Sequence, residues 1–403
     1  MALDLIFPET NIFLGQKKME FSNRLNSFGD EIFAALNDRR IELQSEGKKI
    51  YNLSVGTPDF KTPEHIMKAL SEAALDPDNW KYALRDTDEM LEAVCNYYDS
   101  RFGVKITPDM VCSCNGSQEG MGHIGMALCN AGDTVLLPTP CYPVFIAGAK
   151  MAEADIYYYE MKKENDFLPD VDSIPDDIAK KAKYMIVSLP SNPMGSVGTE
   201  EIYSQIIAFA KKNDILILHD NAYSDIIFND VIGRSFLSYE GAKEVGVEFF
   251  SLSKSFNMTG ARVSFLVGRA DVVGAFRKLR SQIDFGMFLP VQKAAVAALK
   301  GPLDMVKEQC HDYEARRDAL CNGLRDLGWN VADSKGSMFV WAEIPDKNIT
   351  SMDYCMKLME EAGVICTPGA SFGPAGEGYV RFALVLPPDK IKEAIESIRQ
   401  NMN

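Results

Sequence analysis

Basic residues are scarce in this sequence relative to acidic ones. Its 403 residues include 42 lysines and arginines against 57 aspartates and glutamates, which gives a formal net charge of −15 and a pI of about 4.9. Nucleic acids and anionic membranes attract basic surfaces. The charge balance therefore argues against both of them as partners. Histidine is also rare, and the four scattered histidines offer little material for a metal site.

Long hydrophobic runs are missing as well. No apolar run approaches the roughly 18 residues of a membrane span, and the opening segment MALDLIFPET lacks the basic residues that begin a signal peptide. The nine cysteines are scattered, and only Cys112 and Cys114 stand close together, at a spacing that favours core packing on one face of a strand. These features predict a protein of the reducing cytoplasm.

Short apolar runs alternate with amphipathic stretches between residues 60 and 290. Helical stretches such as EEIYSQIIAFAKKN lie between some of the runs. Near-continuous apolar runs are typical of strands covered on both faces. The pattern therefore predicts an α/β fold with a mostly parallel sheet between layers of helices. The predicted strands are MVCSC (110–114), TVLLP (134–138), YMIVSL (184–189), ILILH (215–219) and VEFFSL (247–252).

The pattern changes near residue 290. Apolar residues from Leu303 to Leu327 follow helical spacing over a long stretch, and strands and helices alternate after it. The predicted elements are strands near 338–343 and 379–384 and helices near 351–362 and 388–401. The sequence thus predicts three parts: an N-terminal arm and helix over 1–55 that joins the small domain, a large domain over 56–290, and a small α/β domain over 291–403.

Three of the predicted strands lead directly into polar residues. MIVSLPSNP leads to Asn192, ILILHDNAY leads to Asp220 and Tyr223, and FFSLSKS leads to Ser251 and Lys254. Each residue alone is compatible with an exposed position just past its strand. Ligands of open α/β sheets bind outside the carboxyl ends of the strands. Together the residues place an amide, a carboxylate, a phenol and an amine on one such rim.

This set of groups suits the chemistry of pyridoxal phosphate. The amine of Lys254 can form a Schiff base with the aldehyde of that cofactor. Asp220 can supply the carboxylate that the ring nitrogen needs, and Tyr223 and Asn192 can bind the phenolic oxygen.

The segment CSCNGSQEG predicts a site for the phosphate. It combines a strand, a glycine turn and a helix start, where free backbone N–H groups bind anions. Ser117 and Gln118 stand at that helix start, and Arg262 can add a bidentate guanidinium contact. An exposed ion pair at the start of a strand is the alternative interpretation of Arg262.

At these residues the sequence resembles the class I and II aminotransferases, which are fold-type I pyridoxal-phosphate enzymes. The resemblance runs from SVGTPDF at residue 54 to YVRFAL at residue 379, and its most specific feature is S-x-S-K with an arginine eight residues after the lysine. It implies that Lys254 is the Schiff-base lysine and Asp220 the partner of the ring nitrogen. It also implies that Tyr223 and Asn192 bind the phenolic oxygen, and that the phosphate is held by Ser117, Gln118, Ser251 and Arg262.

The same resemblance implies roles for four further residues. Tyr142 in PTPCYP matches the aromatic residue that stacks on the pyridine ring, and Arg381 in GEGYVRFAL matches the arginine that binds the substrate α-carboxylate. Gly56 in SVGTPDF matches the glycine whose backbone meets the same carboxylate. Tyr82 matches the tyrosine that reaches the phosphate of the neighbouring subunit, which predicts a homodimer. Taken alone, the first three also fit a core tyrosine, a surface arginine with a buried stem and a turn glycine.

The activity implied by the resemblance is ping-pong transfer of an amino group from an amino acid to a 2-oxo acid, 2-oxoglutarate or pyruvate. GAKEVGVEFFSLSKSFNMTGAR and SQIDFGMFLPVQKAA are most similar to the branch of LL-diaminopimelate, alanine and aspartate aminotransferases. Three neighbours of the site depart from the usual family pattern, namely Thr87, Met194 and Asn221. Some aspartate-preferring members carry a lysine where Ser117 stands, and its absence weakens an aspartate assignment.

Two alternative functions compete with this interpretation. A β-C–S lyase of the same fold would use the same cofactor and the same lysine. A NAD-dependent oxidoreductase is suggested by GMGHIG (120–125), which matches the dinucleotide fingerprint G-x-G-x-x-G. However, this match begins six residues after the strand, inside the predicted helix, and the next strand ends without the acid that would bind a ribose.

Overall fold

The computed structural model describes residues 19–28 and 32–402. Residues up to Asp30 form one unit and residues from Glu31 form another. In the first unit, a 3-10 turn spans Asn23–Ser27 and begins where the Ser22 hydroxyl accepts a hydrogen bond from the Arg24 N–H. The rest of the predicted arm, residues 1–18, lies outside the described residues.

The second unit contains every strand of the described chain. In chain order the strands are β1 (Tyr51–Asn52), β2 (Val111–Cys114), β3 (Thr134–Thr139), β4 (Asp155–Glu160), β5 (Ala182–Ser188), β6 (Leu216–Asn221), β7 (Gly246–Ser251), β8 (Ser264–Gly268), β9 (Phe339–Glu343), β10 (Val364–Ile365), β11 (Thr367–Pro368) and β12 (Tyr379–Ala383).

Helices connect most of these strands. They are α1 (Ile32–Ser45), α2 (Glu64–Leu75), α3 (Asp88–Phe102), α4 (Ser117–Leu128), α5 (Pro143–Met151), α6 (Asp176–Ala179), α7 (Glu200–Asn213), α8 (Ala242–Val245), α9 (Leu252–Ser255), α10 (Ala270–Arg280), α11 (Leu289–Lys300), α12 (Asp304–Asp326), α13 (Ser351–Ala362) and α14 (Pro388–Asn401). Within the described ranges, none of them combines the length and the apolar character that a membrane crossing requires.

The largest sheet has seven strands in the order β2-β8-β7-β6-β5-β3-β4. Only β8 runs antiparallel to its neighbours, and the pairs β7–β6, β6–β5, β5–β3 and β3–β4 are parallel. The prediction of a mostly parallel α/β sheet is therefore confirmed, as are all five predicted strands. The sequence analysis missed β4 and β8.

Side chains of this sheet alternate between two hydrophobic clusters because successive residues of a strand point to opposite faces. Leu136, Ile217 and Phe250 belong to one cluster. Leu137, Leu218 and Phe249, which are adjacent to them in sequence, belong to the other. The sheet is thus buried on both sides, which accounts for the continuous apolar runs in its sequence.

The helices cover the sheet with amphipathic faces, and α7 is a clear example. Its N-terminus is capped by the Thr199 hydroxyl, which accepts a hydrogen bond from the Ile202 N–H, and its C-terminus ends at Asp214 in the left-handed conformation. The buried face contains Tyr203, Ile206, Ile207 and Ala210. The single apolar face is what the amphipathic sequence EEIYSQIIAFAKKN predicts.

A third hydrophobic cluster lies around a smaller antiparallel sheet, β11-β12-β9. The cluster contains side chains of α1, α12, α13 and α14. The short strands β1 and β10 pair in parallel and also contribute to it. The long helix and the two strands predicted after residue 290 are confirmed as α12, β9 and β12. The domain boundaries at 55/56 and 290/291 stay predictions, since α11 begins at Leu289 yet packs against α2 and α3.

Gly120 of GMGHIG serves the packing of α4 against the sheet. The segment lies inside α4, and a Cβ on Gly120 would lie 2.5 Å from the Phe249 ring and 2.9 Å from Cys114 Sγ. Across the contact between α4 and α5, a Cβ on Gly148 would overlap the Met121 carbonyl oxygen. The close packing of α4 therefore explains Gly120 without a dinucleotide.

We predict that Gly148→Ala destabilises the fold, because the added methyl group meets backbone that cannot rotate away. The free energy of unfolding should fall by about 1–3 kcal/mol in denaturant titrations. Gly274→Ala is the matched control: Gly274 lies in α10, and the space that its added methyl group would occupy is open. This control should gain up to about 1 kcal/mol from helix propensity. Equal effects of the two substitutions would contradict the packing argument.

Candidate active site

A cavity of about 650 Å³ lies at the carboxyl ends of β5, β6 and β7. Eleven of the twelve predicted site residues line it, and Tyr82 does not. The residues brought together are Gly56, Ser117, Gln118, Tyr142, Asn192, Asp220, Tyr223, Ser251, Lys254, Arg262 and Arg381.

Lys254 reaches the cavity because β7 ends at Ser251 and the short helix α9 follows at once. The Ser251 hydroxyl caps α9 by accepting a hydrogen bond from the Ser253 N–H at 3.1 Å. Lys254 Nζ donates to the Gly56 carbonyl oxygen at 2.5 Å. Burial lowers the pKa of the Lys254 ammonium to about 8, and the nearby charges of Arg381 and Arg262 contribute in the same direction. The amine is therefore closer to its neutral, nucleophilic form than an exposed lysine would be.

Asp220 stands near the end of β6, beside Ser188 of β5 and Phe249 of β7 in the strand register. Its carboxylate is buried and accepts one hydrogen bond from the Ser188 hydroxyl at 3.3 Å. Burial raises the pKa of Asp220 to about 6. A buried carboxyl group with one long hydrogen bond is suited to pairing with a cationic N–H.

A buried polar network lies behind Asp220 and was missed by the sequence analysis. Glu248 on β7 is fully buried and accepts hydrogen bonds from the side chains of Tyr98, Ser235 and Asn221. His219, also fully buried, lies 3.6 Å from the Glu248 carboxylate. Burial favours the neutral acid, but the contacts with His219, Ser235 and Tyr98 outweigh it and hold the pKa of Glu248 below its usual range. The signal in the sequence is a lone glutamate within the apolar strand VEFFSL.

The start of α4 is where the sequence predicts the phosphate site. Gly116 precedes the helix with φ of 82°, and no side chain of the described chain caps the helix N-terminus. The Ser117 hydroxyl is buried without a hydrogen-bond partner among the described residues. The Arg262 guanidinium lies so close to Gly116 that a Cβ there would overlap it. Backbone N–H groups, a hydroxyl and a guanidinium thus converge on one point, as an anion requires.

Arg381 of β12, the predicted ligand of the substrate carboxylate, lines the cavity. Its Nη1 donates to Asn192 Oδ1 at 2.9 Å and its Nη2 donates to the Ser54 carbonyl oxygen at 2.8 Å. The guanidinium lies 4.1 Å from the centre of the Phe339 ring and 4.7 Å from that of Phe372. Burial lowers the pKa of Arg381 to about 10, so the side chain stays cationic at neutral pH. Its buried Nε has no hydrogen-bond partner in the part of the chain that the structure describes.

Four other predicted residues complete the wall. Gly56 lies against Phe339, where a Cβ would lie 2.6 Å from the ring, so a side chain is excluded there. Tyr223 packs edge-on against the same ring, and burial raises the pKa of its phenol. The Tyr142 hydroxyl donates to Gln118 Oε1 at 2.6 Å. Tyr142 and Gln118 therefore hold each other at the edge of the anion site.

Tyr82 lies outside the cavity on the protein surface. It is 80% exposed, and its ring contacts Phe285 at 5.3 Å between ring centres. Trp80, Leu84 and Phe288 are also exposed, and Trp80 packs edge-on against Phe288. We call these five residues the aromatic patch. Within the described chain, the aromatic patch is not covered by other parts of the protein.

The cavity suits pyridoxal phosphate in three respects. An unpartnered buried hydroxyl and free helix N–H groups face Arg262 where a phosphate would lie. Asp220 is a buried carboxyl group with no ion pair among the described residues, and it suits a protonated ring nitrogen. An amine with a lowered pKa, Lys254, lies on the same rim and suits an aldehyde.

The lowered pKa of Lys254 predicts the pH dependence of its reaction with pyridoxal phosphate. Only the neutral amine attacks an aldehyde. Labelling of Lys254 in cofactor-free protein should therefore rise around pH 8, whereas the amine of an ordinary lysine has a pKa of 10.5. Borohydride trapping followed by peptide mass spectrometry at each pH measures this. The exposed Lys68 is followed in the same digests. Labelling of Lys254 that rises only near pH 10.5 would contradict the assignment.

Comparison with known proteins identifies the family. The model of the aminotransferase class I and II family matches residues 48–398. LL-diaminopimelate aminotransferase of Dehalococcoides mccartyi strain 195 is 37% identical over 382 residues, covering 94% of this chain and 98% of that protein. The enzyme of the same name from Syntrophobacter fumaroxidans is 39% identical over 381 residues, with 94% and 98% covered.

Solved structures agree with this match. Substrate-bound BacF from Bacillus subtilis has a TM-score of 0.90 and 35% identity, covering 95% of this chain and 98% of that chain. A Thermus thermophilus aspartate aminotransferase double mutant has a TM-score of 0.89 and 25% identity, with 95% and 99% covered. The predicted family, fold and cofactor are confirmed. The chain belongs to the class I and II aminotransferases, and it is a pyridoxal-phosphate-dependent transaminase.

Proposed function

We propose that this aminotransferase transfers an amino group from an amino acid to a 2-oxo acid with Lys254, Asp220 and Arg381 as the principal groups of its site. One observation carries the assignment: a half-buried amine, a buried carboxyl group and a buried guanidinium line one cavity. Among the described residues no ion pair joins any two of the three. Each is therefore available to a different group of the cofactor or the substrate.

The cofactor would be held along the rim of the large sheet. When bound, pyridoxal phosphate supplies an aldehyde that joins to an amine and a ring that accepts an electron pair from the adjoining carbon. Asp220 would hold the proton on the ring nitrogen, and Asn192 and Tyr223 would donate to the phenolic oxygen. The Tyr142 ring would stack on the cofactor ring. The phosphate would be held by Ser117, Gln118, Ser251 and Arg262.

Lys254 would act as the general base. Its pKa of about 8 means that a substantial fraction is neutral near physiological pH, so Nζ can take the proton from the substrate α-carbon and return it to a second carbon. The hydrogen bond from Nζ to the Gly56 carbonyl oxygen holds the amine on the same side of the cavity as the carboxylate site. Gly56 would meet the substrate carboxylate through its backbone.

Arg381 would bind the α-carboxylate of both reactants. Asn192 orients the guanidinium through its Oδ1, which leaves the Asn192 amide group to donate toward the cavity. The amino acid and the 2-oxo acid differ at the α-carbon but share the carboxylate. One site can therefore serve both halves of a ping-pong cycle. The names of the bacterial relatives place LL-diaminopimelate and aspartate among the donors to test, beside alanine, with 2-oxoglutarate or pyruvate as acceptor.

The active unit would be a homodimer in the cytoplasm. The aromatic patch that includes Tyr82 presents large apolar side chains to solvent, as surfaces that bind another protein do. Tyr82 would reach the phosphate site of the neighbouring subunit. All nine cysteines are free thiols, which suits a reducing compartment.

Turnover should require a 2-oxo acid. With an amino acid alone, each site should release one equivalent of oxo acid and then stop, because the amino group has no acceptor. Addition of pyruvate or 2-oxoglutarate should restore steady turnover. Chromatography of the products measures the turnover under both conditions. Lys254→Ala should abolish the reaction under both conditions. Continuous release of pyruvate and ammonia from cystathionine or cysteine without any oxo acid would instead support the lyase.

Mixed dimers test the role of Tyr82. Tyr82→Ala and Lys254→Ala are each expected to be inactive, but a hybrid of the two should have one site in which both residues are native. Equal mixing and refolding should therefore restore up to about one quarter of wild-type activity. The matched control mixes Lys254→Ala with Asp220→Ala, which line the same cavity and should show no recovery. No recovery with Tyr82→Ala in proven hybrids would assign Tyr82 to its own subunit.

A further inference from the structure

The backbone of Lys254 has a hydrogen-bond partner outside its own loop. Helix α9 is four residues long, and a helix leaves its last carbonyl groups without partners in its own backbone. The Lys254 carbonyl oxygen accepts a hydrogen bond from Gln309 Nε2 at 3.0 Å. Gln309 belongs to α12, 55 residues further along the chain, and it is 4% exposed. A buried side chain of a distant helix therefore holds the backbone of this lysine.

Asn257 determines which end of the Gln309 amide faces Lys254. An amide side chain has one donor end and one acceptor end. Asn257 Nδ2 donates to Gln309 Oε1 at 2.8 Å, so the Nε2 end is left to donate to the Lys254 carbonyl oxygen. Asn257 has a φ of 55°, and its Nδ2 also donates to the Lys61 carbonyl oxygen at 3.2 Å. The two amide side chains and the Lys254 carbonyl group thus form one chain of hydrogen bonds.

The other end of Lys254 is fixed relative to the same helix. Lys254 Nζ donates to the Gly56 carbonyl oxygen at 2.5 Å. The segment that contains Gly56 also contains Asp59, whose carboxylate accepts hydrogen bonds from the Arg316 guanidinium of α12 at 2.6 and 3.1 Å. Bidentate pairs of this kind fix orientation as well as distance. Helix α12 therefore holds both the backbone of Lys254 and the segment that accepts its Nζ.

We propose that Gln309 is a positioning residue for Lys254, an inference that rests on the proposed function of that lysine. The Gln309 amide fixes the start of the lysine side chain and the Gly56 carbonyl oxygen fixes its end. A base that moves a proton between two carbons must be held in place, and a displacement of about 1 Å can slow a reaction roughly 100-fold. Within the described chain, Gln309 does not line the cavity. Its loss should therefore impair the lysine and spare substrate binding.

The first experiment follows the acetylation of Lys254 by acetic anhydride in the cofactor-free, full-length protein. Only the neutral amine reacts, so the lowered pKa of Lys254 places the midpoint of the labelling profile at about pH 8 in the wild type. Gln309→Met removes the amide and keeps a side chain of similar length. Because the released lysine gains access to water, the midpoint should rise by at least roughly half a pH unit. Peptide mass spectrometry at each pH gives the profile.

Gln292→Met is the matched control. Gln292 of α11 is also a buried glutamine, and it accepts from the Thr87 N–H at 2.9 Å and donates to the Met287 carbonyl oxygen at 2.8 Å. The control loses the same kinds of hydrogen bond without a contact to Lys254, so its Lys254 profile should match that of the wild type. A midpoint that does not rise in Gln309→Met, or that rises equally in Gln292→Met, would overturn the inference.

Asn257→Gly is a second variant that leaves Gln309 in place. Glycine adopts the left-handed conformation of Asn257 readily, and the substitution removes the donor that orients the Gln309 amide. The midpoint for Lys254 should rise in this variant as well. If Gln309→Met does not fold, an unchanged midpoint in Asn257→Gly would overturn the inference.

The half-reaction of the holoenzyme provides a second readout. With the fastest of alanine, aspartate and LL-diaminopimelate, the single-turnover rate of Gln309→Met at saturation should fall by at least roughly tenfold. The amino-acid concentration that gives half of this rate should change by less than about threefold, because Arg381 keeps its contacts. A raised half-saturation with an unchanged maximal rate would contradict a role through Lys254. If none of the three donors reacts with the wild-type holoenzyme, the proposed function is contradicted, and the labelling profile tests the inference separately.

Discussion

The parallel register of β5, β6 and β7 is the constraint on which the site depends. Ser188 pairs with Asp220, and Asp220 pairs with Phe249, two residues before β7 ends. These pairings bring the residues that follow the strands, Asn192 and Lys254, to the same rim as Asp220. A slip of one residue in β6 would turn Asp220 to the opposite face of the sheet and remove the carboxyl group from the cavity.

The fold also places ionisable groups, Lys254 and Asp220, in the cavity without an ion pair among the described residues. Burial shifts the pKa of Lys254 downward and that of Asp220 upward, so both move toward their neutral forms. Such groups cost stability unless they find partners. The surrounding sheet tolerates this cost because its strands are covered on both faces by large hydrophobic clusters. The cavity thus holds reactive groups that a cofactor and a carboxylate would satisfy.

Much of the fold could be predicted from the sequence because buried parallel strands are continuous apolar runs. Of the two strands of the large sheet that were missed, β4 lacks that signal, because DIYYYE lies at the edge of the sheet and is partly exposed. β8 (SFLVG) is a short buried apolar run directly after the loop that contains Arg262, and the sequence analysis overlooked it. Local family motifs identify eleven of the site residues, so these residues could be predicted from the sequence. All eleven line the cavity. Tyr82 lies outside the cavity, and the site that it is predicted to reach belongs to a second chain.

Glu248 shows why some essential residues escape sequence analysis. As the one charged residue of VEFFSL, Glu248 resembles a residue that faces solvent. It is instead fully buried and accepts hydrogen bonds from Tyr98 of α3, Ser235 and Asn221 of β6. These donors come from segments far apart in sequence, so no local pattern reveals them. The hydrogen bonds to Glu248 hold β7 against β6 and α3 next to Asp220. A buried carboxylate that collects several donors stabilises one arrangement of these segments only, since any other arrangement would leave the charge unsatisfied.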